Sequence, residues 1–241
     1  MSVATLLCLP FAGAHVDPFY VMRQRFERQV PGLATISHTY PGHGRRLSDP
    51  LVPTLDGMAE DVIERLGASA PSGPVLLLGY SMGALIAYEV ALRLEELGRP
   101  VPLAMFMAAT PPHRLRGNDL VLDTDEDLLE HCLQYGLVQS NSFPSPELKA
   151  LFLPALRNDI LAVDRYAVRG RSARPLAAGT RSGVFQAHGD QTVTDIKFWD
   201  ELTTVPPEYF MYDGGHFFIN ECGDQPRRDA LWLVQKWWEQ T

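Results

Sequence analysis

The stretch Gly79-Tyr80-Ser81-Met82-Gly83 sets a serine between two glycines. It follows the apolar run Pro74-Val75-Leu76-Leu77-Leu78 and precedes Ala84 to Arg93, a segment with the composition of a helix. A strand, a G-x-S-x-G turn and a helix in that order make a nucleophile elbow. The turn is too tight for side chains at its flanks, hence the glycines, and it holds the hydroxyl above the sheet over a helix N-terminus. A serine hydroxyl is a weak nucleophile at neutral pH and needs an adjacent base. That base needs a carboxylate to hold its tautomer and stabilise its imidazolium form. On a sheet with such an elbow the acid and then the histidine follow the serine in the chain, at the carboxyl ends of late strands.

His216 fits the base best. It lies in Asp213-Gly214-Gly215-His216-Phe217-Phe218, after a strand at Tyr209 to Tyr212, where two glycines free the backbone to swing an imidazole over the sheet edge. His38 is placed mid-strand, His131 lies in a helical region, His15, His43 and His113 precede or closely follow the elbow, and His188 ends a strand. The expected acid is Asp190, in Gly189-Asp190-Gln191-Thr192-Val193; its rivals are Asp164, Asp195 and Asp213. An oxyanion hole needs two donors. One is expected to be the Met82 backbone N–H, next after the nucleophile. The other is expected from the turn Leu9-Pro10-Phe11-Ala12-Gly13-Ala14, from Phe11 or Ala12, with Phe11 favoured.

The elements that must position these residues alternate. Strands are expected at Thr5 to Pro10, Leu33 to Tyr40, Val75 to Leu78 and Leu103 to Ala108. Helices are expected at Pro18 to Gln29, at Thr54 to Leu66 with Thr54 as N-cap, and from the elbow to about Gly98. This order implies an α/β chain with a mostly parallel sheet and helices on both faces. The alternation stops after Thr110-Pro111-Pro112. Residues 115–175 read as a helical insertion, by position a lid, with helices at Asp125 to Leu133 and from Pro146 towards Tyr166, kinked or restarted at Pro154. Strands at Gly183 to Gly189 and Glu208 to Tyr212 resume the pattern, with helices at Thr194 to Leu202 and Pro226 to Glu239. No repeat or linker divides the chain, so residues 1–241 read as one domain.

The chain has 241 residues, 46% of them hydrophobic, enough for a sizeable core. No apolar run approaches the ~18 residues of a membrane span. The start reads as a first strand, without the basic and cleavable segments of a signal peptide. Three scattered cysteines, Cys8, Cys132 and Cys222, argue for a reducing, cytoplasmic setting and against a disulfide framework, and no pair has zinc spacing. A net charge of −8 argues against nucleic acid as a partner. Eighteen of the 21 basic residues are arginines, the better side chain for fixed pairing with phosphate or carboxylate.

Taken together the chain resembles the type II, or editing, thioesterases that accompany polyketide synthases and nonribosomal peptide synthetases. The resemblance lies in Leu9-Pro10-Phe11-Ala12-Gly13, Tyr40-Pro41-Gly42-His43-Gly44-Arg45, Gly79 to Ala84, Leu153-Pro154-Ala155-Leu156-Arg157-Asn158-Asp159 and Gly214 to Phe218. It implies an α/β-hydrolase fold with a mobile lid, the triad Ser81, Asp190 and His216, and no cofactor beyond the phosphopantetheine that the substrate carries. It also implies acyl or peptidyl carrier domains as partners; no membrane is expected from the apolar runs, and a monomer is the default. Three positions depart from the family: Tyr80 stands where a histidine is usual, Ala187 where a glycine is common three before the acid, and Ala14-His15-Val16-Asp17 where the first loop usually continues with glycine and small polar residues. The same elbow would also serve a carboxylesterase or an acyltransferase. Since carrier domains are acidic, docking would need a local basic face, for which Arg23, Arg25 and Arg28, Arg45 and Arg46, or Arg165, Arg169, Arg171, Arg174 and Arg181 are candidates.

Overall fold

In the chain's computed structural model, residues 4–69, 73–139 and 141–240 are described. Six strands, β1 (Ala4–Leu9), β2 (Leu33–Ser37), β3 (Val75–Tyr80), β4 (Leu103–Met107), β5 (Arg181–Ala187) and β6 (Glu208–Tyr212), form one parallel sheet in the order β2-β1-β3-β4-β5-β6. The central strands β1, β3 and β4 are buried throughout, as a sheet covered on both faces requires.

Period-two alternation sorts their side chains between two cores. Leu7, Leu9, Val75, Leu77, Ala104 and Phe106 face the core shared with helices α2 (Leu55–Ser69) and α3 (Met82–Glu96). Leu6, Cys8, Leu76, Leu78, Met105 and Met107 face the opposite core, shared with α1 (Tyr20–Gln29), the short α6 (Phe218–Glu221) and α7 (Gln225–Trp238). The chain is an α/β protein of α/β-hydrolase type, helices covering both faces of its sheet. Thr54 caps α2, its Oγ1 accepting the Gly57 N–H at 3.2 Å. Among the described residues no helix is long and apolar enough to cross a membrane.

The strand order reverses at β1. From there β2 lies on one side and β3 on the other, and a crevice opens at the carboxyl ends where the two directions part. Leu9 of β1 pairs with Gly79 of β3, so the loop after β1 and the turn after β3 leave the sheet side by side. Ala187 pairs with Tyr212, which does the same for the loops after β5 and β6.

Between β4 and β5 the chain runs through α4 (Asp125–Gln134) and α5 (Pro146–Arg169). These helices share a small core of Leu122, Leu128, Cys132, Leu153, Leu156 and Ile160. The C-terminal half of α5 returns to the main core, where the Tyr166 hydroxyl donates to Glu89 Oε1 at 2.7 Å.

Several boundaries differ from the sequence expectation, among them β5, which runs Arg181–Ala187 and not Gly183 to Gly189; four differences have a visible cause. Strand β2 ends at Ser37, not Tyr40, because the next residues turn to reach side-chain partners: the Tyr40 hydroxyl donates to the Pro10 carbonyl. Helix α1 begins at Tyr20, not Pro18, because Asp17 Oδ1 accepts the Phe19 N–H at 2.9 Å and holds a turn there. Pro154 neither ends nor restarts α5, a continuous 24-residue helix in which buried Leu153, Ala155 and Leu156 hold the turn around the missing N–H. The segment 194–202 is a 3-10 helix from Ile196 to Leu202. It is preceded by Asp195 in the left-handed region, φ 55°, and the Thr194 N–H is already committed to Thr110 Oγ1.

Candidate active site

Ser81 sits at φ 54° and ψ −120°, a conformation costly for any residue with a Cβ. The glycines around it leave no alternative. A Cβ on Gly79 would stand 2.2 Å from the Gly83 carbonyl oxygen, and one on Gly83 would stand 2.0 Å from that of Leu9. The Ser81 N–H donates to the Met107 carbonyl at 2.8 Å, which pins the elbow to β4.

The other two residues named from the sequence arrive from the far side of the sheet. His216 Nε2 lies 2.9 Å from Ser81 Oγ, and His216 Nδ1 lies 2.8 Å from Asp190 Oδ2. With Nδ1 donating to the carboxylate, Nε2 is left as acceptor for the serine proton. Both His216 and Asp190 are buried.

Thr192, to which sequence reasoning gave no role, completes the acid. Its N–H and its hydroxyl donate to Asp190 Oδ1 at 2.9 and 2.7 Å, and the hydroxyl oxygen lies 2.9 Å from His216 Nδ1. The aspartate-x-threonine spacing of a side-chain-closed turn is the signal that could have found it. Tyr80, the departure noted before the nucleophile, is fully buried and donates its hydroxyl to the His216 carbonyl at 2.6 Å. It therefore holds the backbone of the histidine loop from beneath.

Among the described residues none of the rival acids pairs with His216, whose carboxylate partner is Asp190. Asp164 accepts the backbone N–H groups of Asn118 and Leu120, each at 2.8 Å. Asp195 precedes the 3-10 helix, and the Asp213 carbonyl accepts the Cys222 thiol. Of the other histidines, His38 pairs with Asp61, His43 with Asp159 and His113 with Glu201, while His188 is exposed.

Burial raises the Asp190 carboxyl, but the hydrogen bond and charge of His216 and the two Thr192 donors outweigh it and hold it below the usual carboxylate range. A group with a depressed folded pKa contributes stability above its unfolded value, about 3.9 for Asp, and loses it as pH falls through the folded value. The melting-temperature gap between wild type and Asp190→Asn is therefore expected to be widest above about pH 5 and to close below about pH 3.9. Thermal denaturation across that range checks it, and a gap that widens on acidification contradicts it.

Met82, Phe11 and Ala12 line one cavity with Ser81, which leaves their backbone N–H groups as the candidates for holding an oxyanion. Met82 is the first residue of α3, so its N–H precedes the helix ladder. Among the described residues neither Phe11 nor Ala12 has an acceptor for its backbone N–H, and both lie beside Ser81 and Met82 on the wall of a cavity of about 300 Å³. Leu85, Leu156, Ile160 and Val163 make the cavity chiefly apolar, with Arg116 and His131 among its polar lining.

Such a site can attack an acyl carbon, hold the resulting oxyanion and keep an apolar acyl chain out of water. The model of the Thioesterase domain matches residues 4–231. The chain belongs to the thioesterase-domain family. This thioesterase is 28% identical over 216 residues to a probable cadicidin biosynthesis thioesterase of Streptomyces griseus, covering 90% of this chain and 58% of that one. It is 28% identical over 226 residues to thioesterase PikA5 of Streptomyces venezuelae, covering 91% and 77% of the two chains. The solved structure of the type II thioesterase BorB from the borrelidin biosynthetic cluster superposes with a TM-score of 0.80 at 26% identity, over 98% of this chain and 92% of that one. The chain thus spans 58% of the length of the first of these relatives and more of the others. In this family member Ser81, His216 and Asp190 stand in the geometry of a Ser-His-Asp triad.

Six of the ten arginines named as docking candidates pair with acids. Arg23 pairs with Asp17, Arg25 with Asp224, Arg46 with Asp49 and Asp61, Arg169 and Arg171 with Asp56, and Arg174 with Glu96. The side chains of Arg28 and Arg165 donate to the backbone carbonyls of Gln24 and Pro53. Arg45 is exposed and has no partner among the described residues.

Proposed function

We propose that the chain releases acyl groups from the phosphopantetheine thioester of acyl or peptidyl carrier domains, as an editing thioesterase of polyketide or nonribosomal peptide synthesis. The observation that carries the reading is a serine 2.9 Å from a carboxylate-paired imidazole on the wall of an apolar cavity, with unpartnered backbone donors beside it. The relatives and neighbours named for such pathways support the choice of substrate.

The Ser81 hydroxyl proton passes to His216 Nε2 as Oγ bonds the thioester carbon. The carbonyl oxygen takes the negative charge and is held by the Met82 and Phe11 N–H groups. As the C–S bond breaks, His216 returns its proton to the leaving thiolate. The same imidazole then deprotonates water, whose oxygen attacks the acyl-serine and frees the acid while Oγ recovers the proton. The reading needs no resident cofactor, since phosphopantetheine arrives with the substrate. A cytoplasmic monomer fits it, with three free cysteines, two of them buried.

The test compares matched acyl groups presented as carrier-bound thioester, free pantetheine thioester and simple oxoester. Carrier thioester is expected to give the highest kcat/KM, and product to be free acid whether or not an amine or alcohol acceptor is added. Preference for the oxoester turns the reading into that of an esterase. Acceptor-dependent partitioning turns it into that of an acyltransferase.

A further inference from the structure

Two stretches that carried the family resemblance take no part in the chemistry above: Tyr40 to Arg45, after β2, and Leu153 to Asp159, in α5. The structure joins them. His43 Nε2 lies 3.0 Å from Asp159 Oδ2, and both side chains are wholly buried. The same Oδ2 accepts the backbone N–H of Gly13 at 2.9 Å, two residues beyond Phe11 in the loop after β1. His43 Nδ1 faces the Pro41 carbonyl at 3.0 Å. A carbonyl can only accept, so with a carboxylate at the other nitrogen the ring carries both protons and pairs as a cation with an anion. Burial opposes that charge, but the bond to Asp159 outweighs it and raises His43 above the usual histidine value.

The loop after β1 is held at further points by the same two segments. The Tyr40 hydroxyl donates to the Pro10 carbonyl, the Gly44 N–H donates to His15 Nδ1, and Gly13 packs so closely on α5 that a Cβ there would lie 2.9 Å from Leu156 Cδ1. Gly13 also needs its φ of +72°. A buried ion pair is a costly way to stabilise a fold, and breaking one half leaves an uncompensated charge. Here it sits where a loop of the active site has no secondary structure of its own.

We propose that His43 and Asp159 are a positioning pair for the oxyanion hole: the Asp159 carboxylate, oriented by His43, hangs the Gly13 amide from α5 and so fixes where the Phe11 N–H points. The proposal rests on the functional reading above. It adds that helix α5, which walls the acyl cavity through Leu156, Ile160 and Val163, also sets the geometry of one oxyanion donor. A shift of α5 would then alter the donor and the cavity together.

The test uses the full chain with Asp159→Asn, Asp159→Glu and His43→Gln. The readouts are melting temperature, kcat and KM on a pantetheine thioester, and the rate of Ser81 labelling by a fluorophosphonate, whose phosphoryl oxygen uses the same amides. Asp159→Asn is expected to fold and to lose between about 10- and 100-fold in kcat with little change in KM, as a loop displaced by an ångström would cause. Its labelling rate should fall in step, and Asp159→Glu should recover part of both. A folded Asp159→Asn with wild-type kcat, or with a loss in KM alone, overturns the proposal. If Asp159→Asn does not fold, His43→Gln carries the same two outcomes. Failure of the underlying reading looks different: wild type would prefer the oxoester or partition to an added acceptor, or would not label at Ser81 at all.

Discussion

Ser81→Ala is expected to lower kcat for acyl thioesters by about a million-fold, with His216→Ala close behind and the double variant no worse than either. The reason is geometric. Ser81 Oγ and His216 Nε2 lie 2.9 Å apart and act as one unit, so removing either leaves the other without a task. Asp190→Asn is expected to cost less, about ten-thousand-fold, because it leaves nucleophile and base in contact but removes the carboxylate that holds the tautomer. KM should stay near wild type in all of them, since the apolar wall of the cavity is untouched. Residual catalysis of about a thousand-fold over water is expected to survive from the Met82 and Phe11 donors and from binding. Single-turnover rates on one acyl thioester measure the set. A Ser81→Ala variant within tenfold of wild type would remove the covalent route, and additive losses in the double variant would show that the two side chains act apart.

What the chain discloses by itself is what local sequence controls. The elbow was legible because its strand, G-x-S-x-G turn and helix are contiguous: Gly79 approaches the Gly83 backbone so closely that no side chain fits, although Gly83 itself is held to glycine by the distant Leu9 and Pro10 carbonyls. The central strands were legible because burial on both faces demands apolar runs. Asp190 and His216 were legible as residues just past late strands. That Ala187 pairs with Tyr212, bringing their loops together, is a fact of sheet register. The unread parts depend on distant partners. The Tyr80 hydroxyl meets a carbonyl 136 residues away, and several of the arginines that suggested a basic face are paired with acids such as Asp56 and Asp224. Local propensity likewise favoured a helix from Thr194, but Thr110, far off in the chain, holds its N–H. His43 and Asp159 stood out as parts of motifs, yet neither motif discloses that they meet across 116 residues.

Gly83→Ala is expected to cost about 3 kcal/mol or more of folding stability, a large share of the roughly 5–15 kcal/mol available to a domain. Its new Cβ would stand 2.0 Å from the Leu9 carbonyl oxygen and 2.5 Å from that of Pro10. Both are backbone atoms at the end of β1, so no side chain can rotate away. Either α3 lifts from the sheet or the loop after β1 moves, and the second choice displaces Phe11. The variant should therefore lose activity even at temperatures where it stays folded. Gly67→Ala is the matched control. It lies inside α2, its Cβ would meet nothing within 4 Å, and its backbone is not in the left-handed region. There alanine should raise stability by up to about 1 kcal/mol, the ordinary helix preference. Urea denaturation of both variants reads the contrast, with midpoints moving in opposite directions. Equal shifts would mean that the close approach of α3 to β1 does not constrain the elbow.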